Sequence, residues 1–229
     1  MSSVIEKSAD MEKRYEGGID TWGNRERQLY QKIFKAAVEK IKGYLGESYH
    51  IRDGVPVYSW MDIGCGGANI LDTIVENQDD KHKWSLYGCD LSKVAIEDVN
   101  QRYPNGRFYA LDLEEYPDFT KESHCDFTDD LKAADVVSIV DVAYYFGDKR
   151  PWKDTMKAIW RNIRPGAIVV VCDSLIPYQR RTYYNTLKDS ELLESYTDYT
   201  ERVSVEVRED GREWHRYFKV MIYRKLGGK

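Results

Sequence analysis

Apolar residues recur at two different periods along this chain, and the period switches from one segment to the next. From Leu29 through Ile33, Ala37, Ile41 and Leu45 the spacing is fourfold, with Phe34 and Val38 beside it, which predicts a helix with one buried face. Asn24 stands where that helix needs an N-cap, and Glu26 falls in its first turn. "VPVYSWMDIG" (Val55 to Gly64) predicts a strand running into a glycine turn, after which Ile70, Leu71, Ile74 and Val75 return to helical spacing. "WSLYGCDL" (Trp84 to Leu91) predicts a second strand, followed by the helix "KVAIEDVNQRY" with Ser92 as its cap. "GRFYALDL" (Gly106 to Leu113) predicts a third. The acidic stretch from Glu114 to Asp130 is expected to loop out before the strand "ADVVSIVDV" (Ala134 to Val142). A helix follows around Trp152 to Ile163 and stops at Pro165-Gly166. "AIVVVCDSL" (Ala167 to Leu175) is almost wholly apolar, as a parallel strand buried on both faces must be.

Strand and helix in alternation predict an α/β fold, a doubly wound parallel sheet. The C-terminal part breaks the rhythm. "ERVSVEVRE" and "REWHRYFKVMIYRK" flank Asp210-Gly211, a short-range hairpin signal, so the sheet is expected to finish with an antiparallel edge. Residues 1–23 are polar with scattered aromatics (Tyr15, Trp22) and a Gly17-Gly18 pair. They are expected to form a flexible arm or lid in front of a single domain spanning residues 24–229.

Composition narrows this picture without redirecting it. A length of 229 residues suits one α/β domain, and an apolar content of 42% is that of a folded chain. A net charge of −5 leaves no basic footprint for nucleic acid. The N-terminus lacks the apolar core of a signal peptide, and no apolar run approaches the roughly 20 residues that cross a bilayer. Cys65, Cys89, Cys125 and Cys172 follow no regular framework, which points to thiols in a reducing cytoplasm. Neither they nor the histidines are spaced as zinc ligands, so no metal is expected. Eighteen tyrosines and six tryptophans are enough to line a pocket with aromatic walls as well as fill a core.

The chemistry concentrates where the strands end, because ligands of such sheets sit at the carboxyl ends. The first strand closes on Asp62-Ile63-Gly64-Cys65-Gly66-Gly67. Its glycines allow close backbone approach, and the helix after them presents free N–H groups to an anion. A dinucleotide fingerprint would need a third glycine where Asn69 stands, and a carboxylate at Asp62 suits an ammonium better than a pyrophosphate. The second strand ends in Asp90, whose two oxygens match a ribose diol. The third ends in Asp112, which can accept from an adenine amine. S-adenosylmethionine carries all three groups, and a carboxylate for the helix N-terminus.

On these residues the chain resembles the class I S-adenosylmethionine-dependent methyltransferases over about residues 55–175. "MDIGCGGA" looks like the family's first motif, "LYGCDLS" its ribose motif, "ALDLEE" its adenine motif and "VVSIVDVAYYF" its fourth. The family commonly carries a third glycine two residues after the second, where this chain has Ala68, with Gly67 one residue early. "DTWGN" and "DVAYYF" also resemble small-molecule N-methyltransferases of the nodulation type. The resemblance implies a Rossmann-like, seven-stranded sheet with a reversed last strand. It implies S-adenosyl-L-methionine held by Asp62, Gly64, Cys65, Gly66, Asp90, Leu91, Asp112, Leu113 and Asp141. The aromatic, glycine-rich arm before the first core helix separately predicts that Trp22 and Tyr15 fold over the cofactor as a lid.

The donor methyl is expected above the end of the fourth strand, from Asp141 to Tyr145. Asp141 can take a proton, hold a substrate amine, or serve as a capping or cofactor-shell carboxylate. Tyr144 and Tyr145 can wall the pocket or pack in the core. Beyond the fifth strand, "DSLIPYQRRTYYNTL" offers Tyr178, Arg180, Arg181 and Tyr184 to a substrate, its arginines suited to a carboxylate or phosphate. His215 and Arg216 are expected on opposite faces of the last strand. The acceptor expected is a small polar, anionic metabolite methylated on oxygen or nitrogen. An amine N-methyltransferase and a non-catalytic S-adenosylmethionine-binding protein stand as alternatives. The Asn/Asp-Pro-Pro-Tyr/Phe signature of base-modifying relatives is absent, Asp141-Val142-Ala143-Tyr144 standing instead.

Overall fold

Parallel strands buried on both faces read as continuous apolar runs, and the sheet is built from such runs. The computed structural model describes residues 12, 13, 15, 16, 28–46, 50–52, 54–115, 124–142, 149–173, 187, 189–197, 204–207, 213–216 and 219–227. Its strands are β1 (His50–Arg52), β2 (Val55–Ile63), β3 (Lys83–Asp90), β4 (Arg107–Ala110), β5 (Val136–Val140), β6 (Ile168–Asp173), β7 (Ser190–Thr197), β8 (Ser204–Val207), β9 (Glu213–Arg216) and β10 (Lys219–Lys225). Its helices are α1 (Gln28–Tyr44), α2 (Asn69–Glu76), α3 (Lys93–Arg102), α4 (Cys125–Ala133) and α5 (Lys149–Asn162).

The main sheet runs β4-β3-β2-β5-β6-β10-β7, with the short β1 added antiparallel to β2. β4, β3, β2, β5 and β6 are parallel, and β10 is antiparallel to both β6 and β7. This is the expected doubly wound sheet with a reversed strand near its edge. Chain order reverses between β2 and β5, so their carboxyl ends flank the crevice where doubly wound folds bind ligands.

Alternation divides each strand between two cores. Met61, Ile63, Val137, Ile139, Val169 and Val171 face α4 and α5, where Phe127, Leu131, Met156 and Ile159 are buried. Trp60, Val136, Ile168 and Val170 face the other layer, against Ile33, Val38 and Ile41 of α1 and Leu71 and Ile74 of α2. Asp62 has the parity of Trp60, which sets its side chain on the α1–α2 face. Ser92 caps α3 as expected, accepting from Ala95 N at 3.2 Å. α5 ends before Gly166, which takes φ 84. Among the described residues no helix is long and apolar enough to cross a membrane.

Three expectations need correction. The acidic stretch is not all loop: Cys125–Ala133 is a helix, because Phe127 and Leu131 lie one turn apart and bury against the sheet. The tail's second apolar run is two strands. β9 pairs with β8 in a separate two-stranded ribbon, from Ser204↔Arg216 to Val207↔Glu213, whereas β10 enters the main sheet. His215 and Arg216 therefore sit on the ribbon, away from the sheet's reversed strand, while Asp210-Gly211 lies outside the described residues. Finally, Ser190–Thr197 forms an edge strand that its exposed, mixed composition does not announce. Asn24 and Glu26 lie outside the described residues.

Candidate functional site

The carboxyl ends of β2, β3 and β5 converge on the glycine turn. Gly64 N and Cys65 N donate to Cys89 O at 2.8 and 2.9 Å, which ties the turn to β3. Gly64 takes φ 73, and a Cβ there would stand 2.5 Å from Val142 Cγ2, so the turn and the end of β5 pack with no room for a side chain. Gly66 takes φ 47, and its Cβ would meet the Tyr15 hydroxyl at 2.5 Å. Ala68, in the position of the third glycine, is itself left-handed at φ 60, which explains why glycine suits that place. α2 then starts with no side-chain cap on its N-terminus.

Asp62 is 2% exposed, and its Oδ1 accepts from Ser138 Oγ at 2.5 Å. Burial pushes its carboxyl up to about 7, Ser138 opposes that shift, and nearby Asp90 adds to it. Asp90 is also buried, accepting from Gly66 N and Ser92 N at 2.9 Å each. Burial raises its carboxyl too, against the hydrogen bonds from Ser92 and Gly66. Cys65 is buried nearby, its thiol raised by burial and by both carboxylates.

Leu91 is half-buried beside Tyr15 and Ala95. Asp112 is half-buried, and its Oδ1 accepts from Glu114 N at 2.8 Å, closing a turn on itself. Leu113 is buried, with its carbonyl accepting from Thr155 Oγ1 of α5 at 2.8 Å. Asp141 follows β5 half-buried at φ 54, a left-handed backbone held by its N–H donating to Cys172 O at 2.8 Å. Trp22, Tyr144, Tyr145, Tyr178, Arg180, Arg181 and Tyr184 lie outside the described residues.

Several residues at the site were given no role by the sequence. Trp60 and Ser138 stand behind Asp62, with Trp60 Nε1 donating to Ser138 Oγ at 2.8 Å. A single hydroxyl inside the apolar run "VVSIV" was the available signal. Arg102, at the end of α3, donates to Gly67 O at 2.6 Å and to Asp72 and Asp98 at 2.7 Å each, which anchors the glycine turn from behind. From the N-terminal segment, Glu12 accepts from Ser92 Oγ at 2.8 Å, Lys93 N at 2.7 Å and Val94 N at 3.2 Å. It thereby adds an anion to the N-terminus of α3.

Among the described residues no lysine or arginine pairs with Asp62 or Asp90. Two buried carboxylates without a cation are costly unless a positive, hydroxyl-bearing ligand completes the site. S-adenosylmethionine fits that requirement. Asp62 would receive its ammonium, Asp90 its ribose hydroxyls, and the N-terminus of α2 its carboxylate.

The comparisons with known proteins agree. A family model described as a methyltransferase domain matches residues 61–169. Among curated proteins no sequence matches. The fold is similar to that of the N-methyltransferase NodS from Bradyrhizobium japonicum in complex with S-adenosyl-L-homocysteine, at TM-score 0.66 and 13% identity over 96% of this chain and 99% of that one. It is also similar to a SAM-dependent methyltransferase from Methanosarcina mazei, at TM-score 0.53 and 14% identity over 82% and 98%. An S-adenosylmethionine-dependent methyltransferase from Clostridium acetobutylicum gives TM-score 0.53 and 10% identity over 84% and 90%. Residues 61–169 thus match a methyltransferase domain, and the sheet that contains them has the fold of solved S-adenosylmethionine-dependent methyltransferases.

Proposed function

We propose that this methyltransferase acts on an oxygen or nitrogen of a small polar, anionic metabolite in the cytoplasm. The observation that carries the donor half is the pair of buried carboxylates Asp62 and Asp90, at the ends of adjacent strands, with no lysine or arginine partner among the described residues. The donor supplies an electrophilic methyl on sulfur for in-line displacement. What the chain contributes is placement: Gly64 and Gly66 admit the ligand to the backbone, Asp90 fixes its ribose, and Asp112 and Leu113 border the adenine. Positioning of this kind is worth about 7–11 kcal/mol.

The acceptor half rests on the sequence around it. Asp141 stands beyond β5 at the switch point and takes the acceptor's proton or holds its amine. Tyr144 and Tyr145 wall the acceptor, while Tyr178, Arg180, Arg181 and Tyr184 bind its anionic group. The N-terminal arm, residues 1–23, closes over the donor, with Trp22 as part of the cover. The contacts of Glu12 with α3 and of Tyr15 with Gly66 support that reading. A second reading, N-methylation of a small amine, is favoured by the likeness to NodS, an N-methyltransferase, over nearly the full length of both chains.

The test is turnover across a panel of phosphorylated sugars, sugar nucleotides, amino-acid derivatives and plain amines, following S-adenosylhomocysteine release. Turnover is expected on anionic acceptors, and Asp141→Asn is expected to lower kcat by about 10²–10⁴-fold if Asp141 moves the proton. Turnover confined to uncharged amines selects the second reading. Tight donor binding with no turnover on any acceptor rejects both.

A further inference from the structure

Trp60, Ser138 and Asp62 form a row behind the donor site. The parallel register of β2 and β5 sets Asp62 opposite Ser138, and Trp60, two residues earlier, shares their face. Trp60 and Ser138 are each 0% exposed, out of contact with bulk solvent. Trp60 Nε1 donates to Ser138 Oγ at 2.8 Å, and Ser138 Oγ lies 2.5 Å from Asp62 Oδ1. An indole N–H can only donate. Ser138 Oγ therefore accepts from Trp60, and its own hydrogen is directed to Asp62, because the competing acceptor, Met61 O, is farther off at 3.5 Å.

We propose that Trp60 and Ser138 are positioning residues that hold the Asp62 carboxylate ionised and oriented for the donor's ammonium, and so set the pH range of donor uptake. This rests on the reading that the ammonium faces Asp62. Among the described residues the groups around Asp62 are the Asp90 carboxylate at the end of β3, the Cys65 thiol on the glycine turn, the Cys89 thiol on β3 and the Ser138 hydroxyl on β5. Ser138 is the hydrogen-bond donor among them that favours the charged form. In the free protein burial holds the Asp62 carboxyl up at about 7, so near neutrality part of the population carries a proton there. A bound ammonium favours the ionised carboxylate, so uptake expels that proton. Affinity therefore rises with pH through the Asp62 range, and falls again where the ligand's own amine loses its charge.

Calorimetric titration with S-adenosylhomocysteine, between about pH 5.5 and pH 9, tests this on the full chain. A parallel series uses 5′-methylthioadenosine, which lacks the amino-acid amine. The wild type is expected to show an acid limb for the first ligand and a flat profile for the second. Ser138→Ala should move the acid limb upward by about one pH unit, weakening S-adenosylhomocysteine roughly tenfold below the midpoint, while 5′-methylthioadenosine stays within about twofold. Trp60→Phe, which frees the Ser138 hydroxyl to turn away, should move the limb the same way by about half as much. It carries the test if Ser138→Ala does not fold. An unmoved limb in both variants overturns the proposal, and so does equal weakening of both ligands at every pH, the mark of a merely structural role. Wild type that binds neither ligand overturns the donor reading itself.

Discussion

Ala68 shows how one side chain can be in the wrong backbone region and still be retained. At φ 60 and ψ 32 it is left-handed, which costs a residue with a Cβ about 1–2 kcal/mol. Its methyl is fully buried in the core under α1 and α2, which contributes about 0.8 kcal/mol. Glycine would relieve the first term, lose the second, and cost about 0.4–1 kcal/mol more in unfolded-chain entropy. The three nearly cancel. Ala68→Gly is therefore expected to fall within about 0.5 kcal/mol of wild type in urea unfolding. Ala95→Gly, equally buried but inside α3, should cost about 2 kcal/mol, from its methyl and from helix propensity together. A comparable loss at both positions would mean that Ala68 carries no strain. At this scale the sequence was readable where a residue acts through its own type, as with Ser92 capping α3, and in the strand-end positions of Asp62 and Asp90. It was opaque where a residue acts through a partner on another strand, as Ser138 does through Asp62.

Between elements, the glycine turn depends on a helix end that carries no motif. Arg102 joins three things: the carbonyl of Gly67, Asp72 in the first turn of α2, and Asp98 one turn back on α3. Tyr103 donates to Asp72 as well. The bonds from Arg102 to Gly67 and Asp72 cross between elements, while the bond to Asp98 is a local i,i+4 pair. Arg102→Met should lower stability by about 1–3 kcal/mol, the range for charge-assisted bonds in a half-buried setting, and weaken S-adenosylhomocysteine several-fold by loosening the turn. Asp98→Asn should cost no more than about 0.5 kcal/mol and leave affinity unchanged. Equal losses in the two variants would place the clamp's value in α3 alone. β2, β5 and β6 were legible because apolar residues are buried on both of their faces. α4 was hidden by its acids, since Phe127 and Leu131 are a thin signal among Asp126, Asp129 and Asp130. β7 was hidden because an edge strand has one partner and needs no apolar run.

For the molecule as a whole, the doubly wound sheet followed from the alternation of periods, and the reversed strand from the C-terminal pattern. The position of that strand did not. β10 sits between β6 and β7, and the hairpin before it leaves the sheet as a ribbon, because pairing across the sheet is fixed by tertiary contacts that adjacent residues do not encode. The same topology dictates how a ligand should act on global stability. Asp62, Asp90 and Asp141 come together only when β2, β3 and β5 are side by side, and in the unfolded chain they are scattered. A ligand that needs them all binds the native state alone, so its free energy adds directly to the stability of the fold. At a hundred times its dissociation constant that gain is about 2.7 kcal/mol. For a chain of 229 residues it corresponds to a rise in Tm of roughly 5–10 °C. S-adenosylhomocysteine should produce this shift in a thermal melt, and NAD at the same concentration should not, since Asn69 stands where its fingerprint needs glycine. A shift with NAD and none with S-adenosylhomocysteine would reverse the identity of the cofactor. On the proposal that Asp90 holds the ribose, Asp90→Ala should abolish the shift, because the dissociation constant rises enough that the same ligand concentration no longer saturates the site.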